Sequence, residues 1–206
     1  IGKKRTIRVW IMKVNKKYNC LFIGNAIVDV VSEVSFDFLE KQKIEVGSWR
    51  PVSINEINEL QEEMSNTITA SGGSAANSAV GFSLLGGRSA FIGRVKSDDF
   101  GSLYINDLKE ANVDFISNPV DTGNETGRCL VYVSPDAQRS MRTYLGAASN
   151  LSPENLDINA FENSEIVYME GYLWDEPVAK EAYKKAFDLS KKLDIKSALS
   201  LSDKFC

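Results

Sequence analysis

The apolar positions of this chain change period repeatedly, from runs suited to strands to the 3.6-residue spacing of helices. Residues 20–24 form a short apolar run, as in a strand buried on both faces. Residues 30–35 half alternate, 36–43 have helical spacing, and 46–49 are extended in character. A helix is predicted over 53–64: Ile54, Ile57, Leu60 and Met64 share one face, and Ser53 with Glu56 forms a capping box. A strand over 67–70 leads to Gly72-Gly73 and a second helix, whose stripe of Ala75, Ala76, Ala79, Val80 and Leu84 runs to Gly86-Gly87. Residues 89–95 read as a strand, and Ser97-Asp98 caps a helix with Phe100, Leu103, Tyr104, Leu108 and Ala111 on one face. Further strands are predicted over 113–117, 127–133, 140–145, 166–170 and 197–202. The last helix opens at Asp175-Glu176-Pro177 and carries Ala179, Ala182, Tyr183, Ala186, Phe187, Leu189 and Leu193 at helical spacing.

Strand and helix in alternation predict an α/β domain, a Rossmann-like parallel sheet flanked by helices. The two strands over 127–133 and 140–145 break that order as a hairpin would, through Ser134-Pro135-Asp136-Ala137-Gln138. The expectation is one domain over residues 18–206 with a small β-sheet lid from about 30–50 and 127–145, its strands antiparallel. Residues 1–17 read as a tail, with Met12 a candidate start and the residues before it upstream read-through. The last strand, followed by no helix to cover it, reads as a domain truncated at its C-terminus.

The Gly72-Gly73 junction marks a binding crevice. Glycine backbone can lie against a ligand, and the first amides of a helix are donors at the positive end of its dipole. Ser74 stands among those amides, and Asn77 falls in the same turn, where its carboxamide can both donate and accept. Asn25 and Asp29 follow the first strand in Gly24-Asn25-Ala26-Ile27-Val28-Asp29. If the two strands run parallel, their ends bring carboxylate, amides and carboxamide together where open α/β sheets bind ligands.

Five motifs then occur in one order: Gly24-Asn25-x-x-x-Asp29, Gly72-Gly73-Ser74-x-x-Asn77-Ser78, Ile92-Gly93-Arg94-Val95 with Asp98-x-x-Gly101, Thr126-Gly127-x-Cys129, and Arg139-Ser140-Met141. Together, from about Tyr18 onward, they resemble the ribokinase-like (PfkB) carbohydrate kinases and, within them, the adenosine kinase-like branch. The resemblance implies a ribokinase-like fold whose lid closes over substrate. It implies phosphoryl transfer from ATP, with Mg2+, to a primary hydroxyl of a small-molecule ribonucleoside or sugar, adenosine first. A fructokinase- or ribokinase-type sugar kinase and a catalytically inactive ligand-binding module are the alternatives.

By that resemblance Asn25, Asp29, Gly72, Gly73, Ser74 and Asn77 bind the substrate. Cys129, Met141, Thr143 and Tyr172 fall at positions that enclose the base or pack the lid. The family's Gly-Ala-Gly-Asp motif, which carries the catalytic Asp, does not occur, so no catalytic residue is assigned in these residues. The family often has Asp-Gly-Glu-Arg in the hairpin turn. Here Asp136-Ala137-Gln138-Arg139 lacks the glycine, which predicts a different turn geometry.

Composition narrows the remaining classes. A chain of 206 residues with 43% hydrophobic content can bury a sizeable core. A net charge of −4 offers no field for nucleic acid, despite Lys3, Lys4, Arg5 and Arg8. With no histidine at all, imidazole-based mechanisms are excluded for this chain. Cys20, Cys129 and Cys206 are too few and too scattered for a disulfide framework or a Cys-x-x-Cys metal site, which fits a cytoplasmic protein. No apolar run is long enough to span a membrane, and P-loop and dinucleotide fingerprints are absent. The expected assembly is a monomer or a homodimer formed through the lid.

Overall fold

The computed structural model describes residues 16–203 and Cys206; most of the predicted tail, with Met12, lies outside the described residues. The first strand, β1 (Tyr18–Ile23), passes through Gly24-Asn25-Ala26 straight into β2 (Ile27–Glu33). Next come α1 (Phe36–Lys41), β3 (Trp49–Pro51), α2 (Ile54–Glu62), β4 (Ile68–Gly72) and α3 (Ser74–Leu84). Then follow β5 (Ser89–Ile92), α4 (Asp99–Glu110), β6 (Val113–Phe115) and the hairpin of β7 (Gly127–Val133) and β8 (Arg139–Tyr144). The described elements end with α5 (Ile158–Glu162), β9 (Ser164–Glu170), α6 (Pro177–Lys192) and β10 (Lys196–Ser200).

Five strands make an all-parallel sheet in the order β10-β9-β1-β5-β6. The alternation of β1 sorts the core into two layers, because successive side chains leave opposite faces. Leu21 and Ile23 meet Phe161 of α5 and Ala179, Tyr183 and Ala186 of α6. Cys20 and Phe22 meet Ala75, Ala76 and Ala79 of α3 and Tyr104 and Leu108 of α4. The small stripe of α3 lets that helix lie close on β1 and β5, although Leu84 at its end is exposed.

The other five strands form the lid sheet, β3-β8-β7-β2-β4. It is mixed, a correction to the antiparallel expectation: β2 runs parallel to β7 and β3 to β8, while β7–β8 and β2–β4 are antiparallel. One face packs Val30, Leu130 and Tyr132 on Leu39 of α1 and Ile57 of α2. On the other face lie Ile27, Cys129, Val131 and Met141.

Two local expectations are also corrected. The strand before Gly72-Gly73 is no member of the parallel sheet: β4 is a lid edge strand, antiparallel to β2, with Ile68 72% exposed. Its Thr-Ile-Thr-Ala lacks the unbroken apolar run of a strand covered on both faces. In the hairpin turn Ala137 stands in the left-handed region, at φ 62. Ser53 caps α2 by accepting from the Glu56 amide at 3.2 Å, but the Glu56 carboxylate is turned to Arg50, so the reciprocal half of the box is spent elsewhere.

Candidate functional site

The site lies where the lid sheet springs from the parallel sheet. Because β1 continues into β2 through three residues, Asn25 sits at the end of the parallel sheet and Asp29 on the lid, four residues apart. Asp29 shares a lid face with Ile27 and Val31, alternate positions of β2. Across β7 its direct partner is Cys129, and Cys129 pairs in turn with Thr143 of β8. The Thr143 hydroxyl donates to Cys129 Sγ at 3.1 Å and accepts from Trp49 Nε1 at 3.1 Å. Met141 packs in the same apolar cluster as Ile27, Cys129 and Val131. This is an apolar wall with one carboxylate in it.

Burial on that wall pushes the Asp29 carboxyl up to about 6, with Arg139 pulling it partly back. Among the described residues none donates a hydrogen bond to it. Opposite stands Gly72: a Cβ there would lie 2.4 Å from the Asp29 carboxyl carbon, so only glycine leaves that carboxylate in place. Gly73 has φ 91, and a Cβ on it would come within 2.3 Å of the Asn25 carbonyl oxygen. Each glycine therefore faces one of the two polar residues read from the sequence. Burial also pushes the Cys129 thiol up to about 12, which makes it a packing group and not a nucleophile.

A group that sequence reasoning missed holds this junction together. Glu170, the last residue of β9, is fully buried and accepts from the Asn25 amide at 2.6 Å, the Ser74 hydroxyl at 2.5 Å and the Ala75 amide at 2.8 Å. Its carboxyl is raised by burial, while these donors pull it down. The expectation that the head of α3 offers its donors to a ligand is corrected there: the Ala75 amide and the Ser74 hydroxyl already serve Glu170. The signal in the sequence was a charged residue closing the run Ile166-Val167-Tyr168-Met169 just before a glycine. Two buried tyrosines brace the same place. Tyr104 donates to the Gly72 carbonyl at 3.3 Å and Tyr183 to the Glu170 carbonyl at 2.8 Å.

The remaining predicted residues are spread around this centre. Asn25 is buried, and its Oδ1 has no partner among the described residues. Asn77 is exposed one turn into α3, its amide bonded to the Gly73 carbonyl. Tyr172 stands in the 3-10 turn after β9, half-exposed, its phenol raised first by burial and then by Asp203. Among the described residues no helix is long and apolar enough to cross a membrane.

A profile described as pfkB family carbohydrate kinase matches residues 29–205. The chain belongs to that family. In fold the pfkB chain is similar to an adenosine kinase from Sinorhizobium meliloti, at 39% identity and TM-score 0.85, over 92% of this chain and 58% of that one. It is similar also to a probable sugar kinase from Rhizobium etli CFN 42, at 34% identity and TM-score 0.86, over 93% of this chain and 58% of that one. Among curated proteins it resembles probable fructokinase-4 of Arabidopsis thaliana, 29% identical over 126 residues, 60% of this chain and 39% of that protein. The chain thus spans well under two thirds of the relatives it matches. The ribokinase-like fold expected from the motifs is the fold observed, a helix-flanked parallel sheet with a β lid.

Proposed function

We propose that these residues form the acceptor side of a cytoplasmic kinase that moves the γ-phosphoryl group of ATP, with Mg2+, to a primary hydroxyl of a ribonucleoside or sugar. One observation carries the reading: a half-buried carboxylate, Asp29, faces a bare glycine backbone and lacks a donor among the described residues. A pair of sugar hydroxyls supplies the donors that such a carboxylate needs. On this reading Asn25 and Asn77 offer carboxamides to the same ligand, and the apolar wall of Cys129 and Met141 suits the flat face of a base or a sugar ring.

Glu170 sharpens the chemistry. A buried carboxylate already stands at the head of α3, so this end of the crevice favours neutral hydroxyls over a phosphate. Among the described residues no group of three or more Asp, Glu, Cys or His side chains is placed to hold a cation. On this reading Asp29 and the residues around it bind and orient the hydroxyl that receives the phosphoryl group. Adenosine is the leading substrate, supported by the 39% identical adenosine kinase, and fructose the second, supported by the fructokinase relatives. Calorimetric titration of this chain with adenosine and with fructose tests the reading. Heat of binding to one of them, lost in Asp29→Ala, supports it; no binding to either, or equal binding to the variant, overturns it.

A further inference from the structure

A cavity of about 420 Å3 lies between the loops that follow β5, β6 and β8 and the head of α6. Its lining includes Arg94, Thr122, Asn124, Asn150, Ser152 and Val178, and none of these belongs to the Asp29 crevice. The volume is within the range of small-molecule pockets.

Arg94 is the only cation among the lining residues. Its Nη1 donates to the Asn150 carbonyl at 2.7 Å, while its Nε is shut off from solvent with no partner. No described carboxylate pairs with it. The acidic residues on the neighbouring loop are engaged elsewhere, Asp121 with the Ser97 hydroxyl and Glu125 with Arg128. A partly buried guanidinium without a counter-charge leaves donors that an oxyanion satisfies best. Val178, in the first turn of α6, lines the pocket as well, although that helix opens on Glu176-Pro177 and so adds no cationic feature of its own.

The walls are held in place without a ligand. Asp98 accepts from the Thr126 amide at 2.9 Å and the Thr126 hydroxyl at 2.6 Å, Lys96 donates its amide to Thr126 at 3.0 Å, and Ser97 donates its own to the Val120 carbonyl at 2.9 Å. The Ala147 amide, donating to the Glu125 carbonyl at 2.8 Å, fastens the segment after β8 to the same loop.

We propose that this pocket binds the anionic group, phosphate or carboxylate, of a small metabolite, with Arg94 as its principal donor and the hydroxyl and carboxamide of Thr122 and Asn124 beside it. It sits next to the Asp29 crevice without merging with it. Gly93, the neighbour of Arg94, packs so closely on the Gly24 carbonyl that a Cβ would lie 3.0 Å from it.

The test is equilibrium titration of this chain with inorganic phosphate and, separately, acetate, in an uncharged buffer at fixed ionic strength. Saturable binding of at least one is expected. Arg94→Gln should weaken it at least about tenfold, the scale of a lost charge-assisted contact. A double Thr122→Val, Asn124→Ala variant, altering only exposed loop side chains, should weaken it several-fold and keeps the test open if Arg94→Gln does not fold. Asp29→Asn should leave anion binding within about twofold, which separates this proposal from the reading of the Asp29 crevice. Preference for phosphate or for acetate tells a phosphorylated ligand from a carboxylate one. No saturable binding of either, or equal affinity in the folded Arg94→Gln and double variants, overturns the proposal.

Discussion

Gly72 and Asp29 face each other across the first pair of lid strands, so closely that a methyl group on Gly72 would sit 2.4 Å from the Asp29 carboxyl carbon. The contact is diagonal, since the direct partner of Asp29 on β4 is Ala70 and that of Gly72 is Ile27. Gly72 is not among the positive-φ residues, so alanine there strains no dihedral and acts only by displacing the carboxylate. Gly72→Ala is therefore expected to fold and to lose affinity for the acceptor substrate about as much as Asp29→Ala, roughly 10- to 150-fold, as a charged acceptor contributes about 1.5 to 3 kcal/mol. Circular dichroism with calorimetry checks both halves. A folded Gly72→Ala protein that binds like the parent removes Asp29 from the site.

The raised Asp29 carboxyl predicts two opposite pH trends. Its folded value, about 6, lies above the ordinary 3.8, so the folded state holds this proton more tightly than the unfolded chain. The contribution of Asp29 to stability is thus fully present below about 4 and is lost as pH rises through about 6. Hydroxyl binding follows the other sense, because only the ionised carboxylate accepts from two hydroxyls at once. Affinity should fall as pH drops below 6. Denaturant melts and titrations at pH 4.5 to 8, compared with Asp29→Asn, read both; trends that persist unchanged in the variant refute the assignment to Asp29.

Glu170 predicts a loss of structure more than of binding alone. Replacing it by alanine leaves the Asn25 and Ala75 amides and the Ser74 hydroxyl without their acceptor, at about 1 to 3 kcal/mol for each buried donor. Glu170→Ala is expected to lower the unfolding free energy by several kcal/mol, and Glu170→Gln, which keeps an oxygen, by less. Urea melts of the two variants rank them; equal stability of Glu170→Ala and the parent shows that the carboxylate does not hold the junction.

Much of this arrangement was legible in the chain, for physical reasons that differ from residue to residue. The two core faces followed from the apolar periods, and Asn25, Asp29, Gly72 and Gly73 converge because β1 runs directly into β2. The parallel partnership imagined for the strand before Gly72 was wrong, although the convergence it was meant to explain is present. Strand pairing is a tertiary choice, and Ile68 and Thr69 carry no label for the sheet they join. Glu170 stayed hidden because a glutamate at a strand end reads as solvated, and only the fold brings Asn25 and Ser74 to it, 145 and 96 residues away along the chain.

Ala137 offers a test on stability alone. The turn keeps it at φ 62, where a Cβ meets the following carbonyl oxygen at about 1 to 2 kcal/mol. Ala137→Gly relieves this, and part of the gain is offset by the greater freedom of glycine in the unfolded chain. A net stabilisation of up to about 1 kcal/mol is expected. It lies on an exposed turn, so ligand binding should not change. A variant less stable than the parent contradicts the strain.

The last expectation concerns catalysis. Rate in phosphoryl transfer comes from arranged donors and cations on the transferring group, together with a base that takes the hydroxyl proton. At the head of α3, the Ala75 amide suited to the first task is bonded to Glu170, and among the described residues no carboxylate cluster is placed for a cation. Asp29, the one carboxylate in the crevice with no donor among the described residues, is engaged on our reading with the hydroxyls that position the substrate. A general base alone contributes about 10² to 10⁴ in rate, so orientation without base and donors leaves turnover far below the ordinary range. These 206 residues by themselves are therefore expected to bind adenosine or fructose and not to phosphorylate it. Incubation of the purified chain with ATP, magnesium and each compound, followed by chromatography for the monophosphate, decides the matter. Product formed near about 1 per second, a usual enzymatic rate, places the catalytic groups inside this chain and makes Asp29→Asn the first variant to assay.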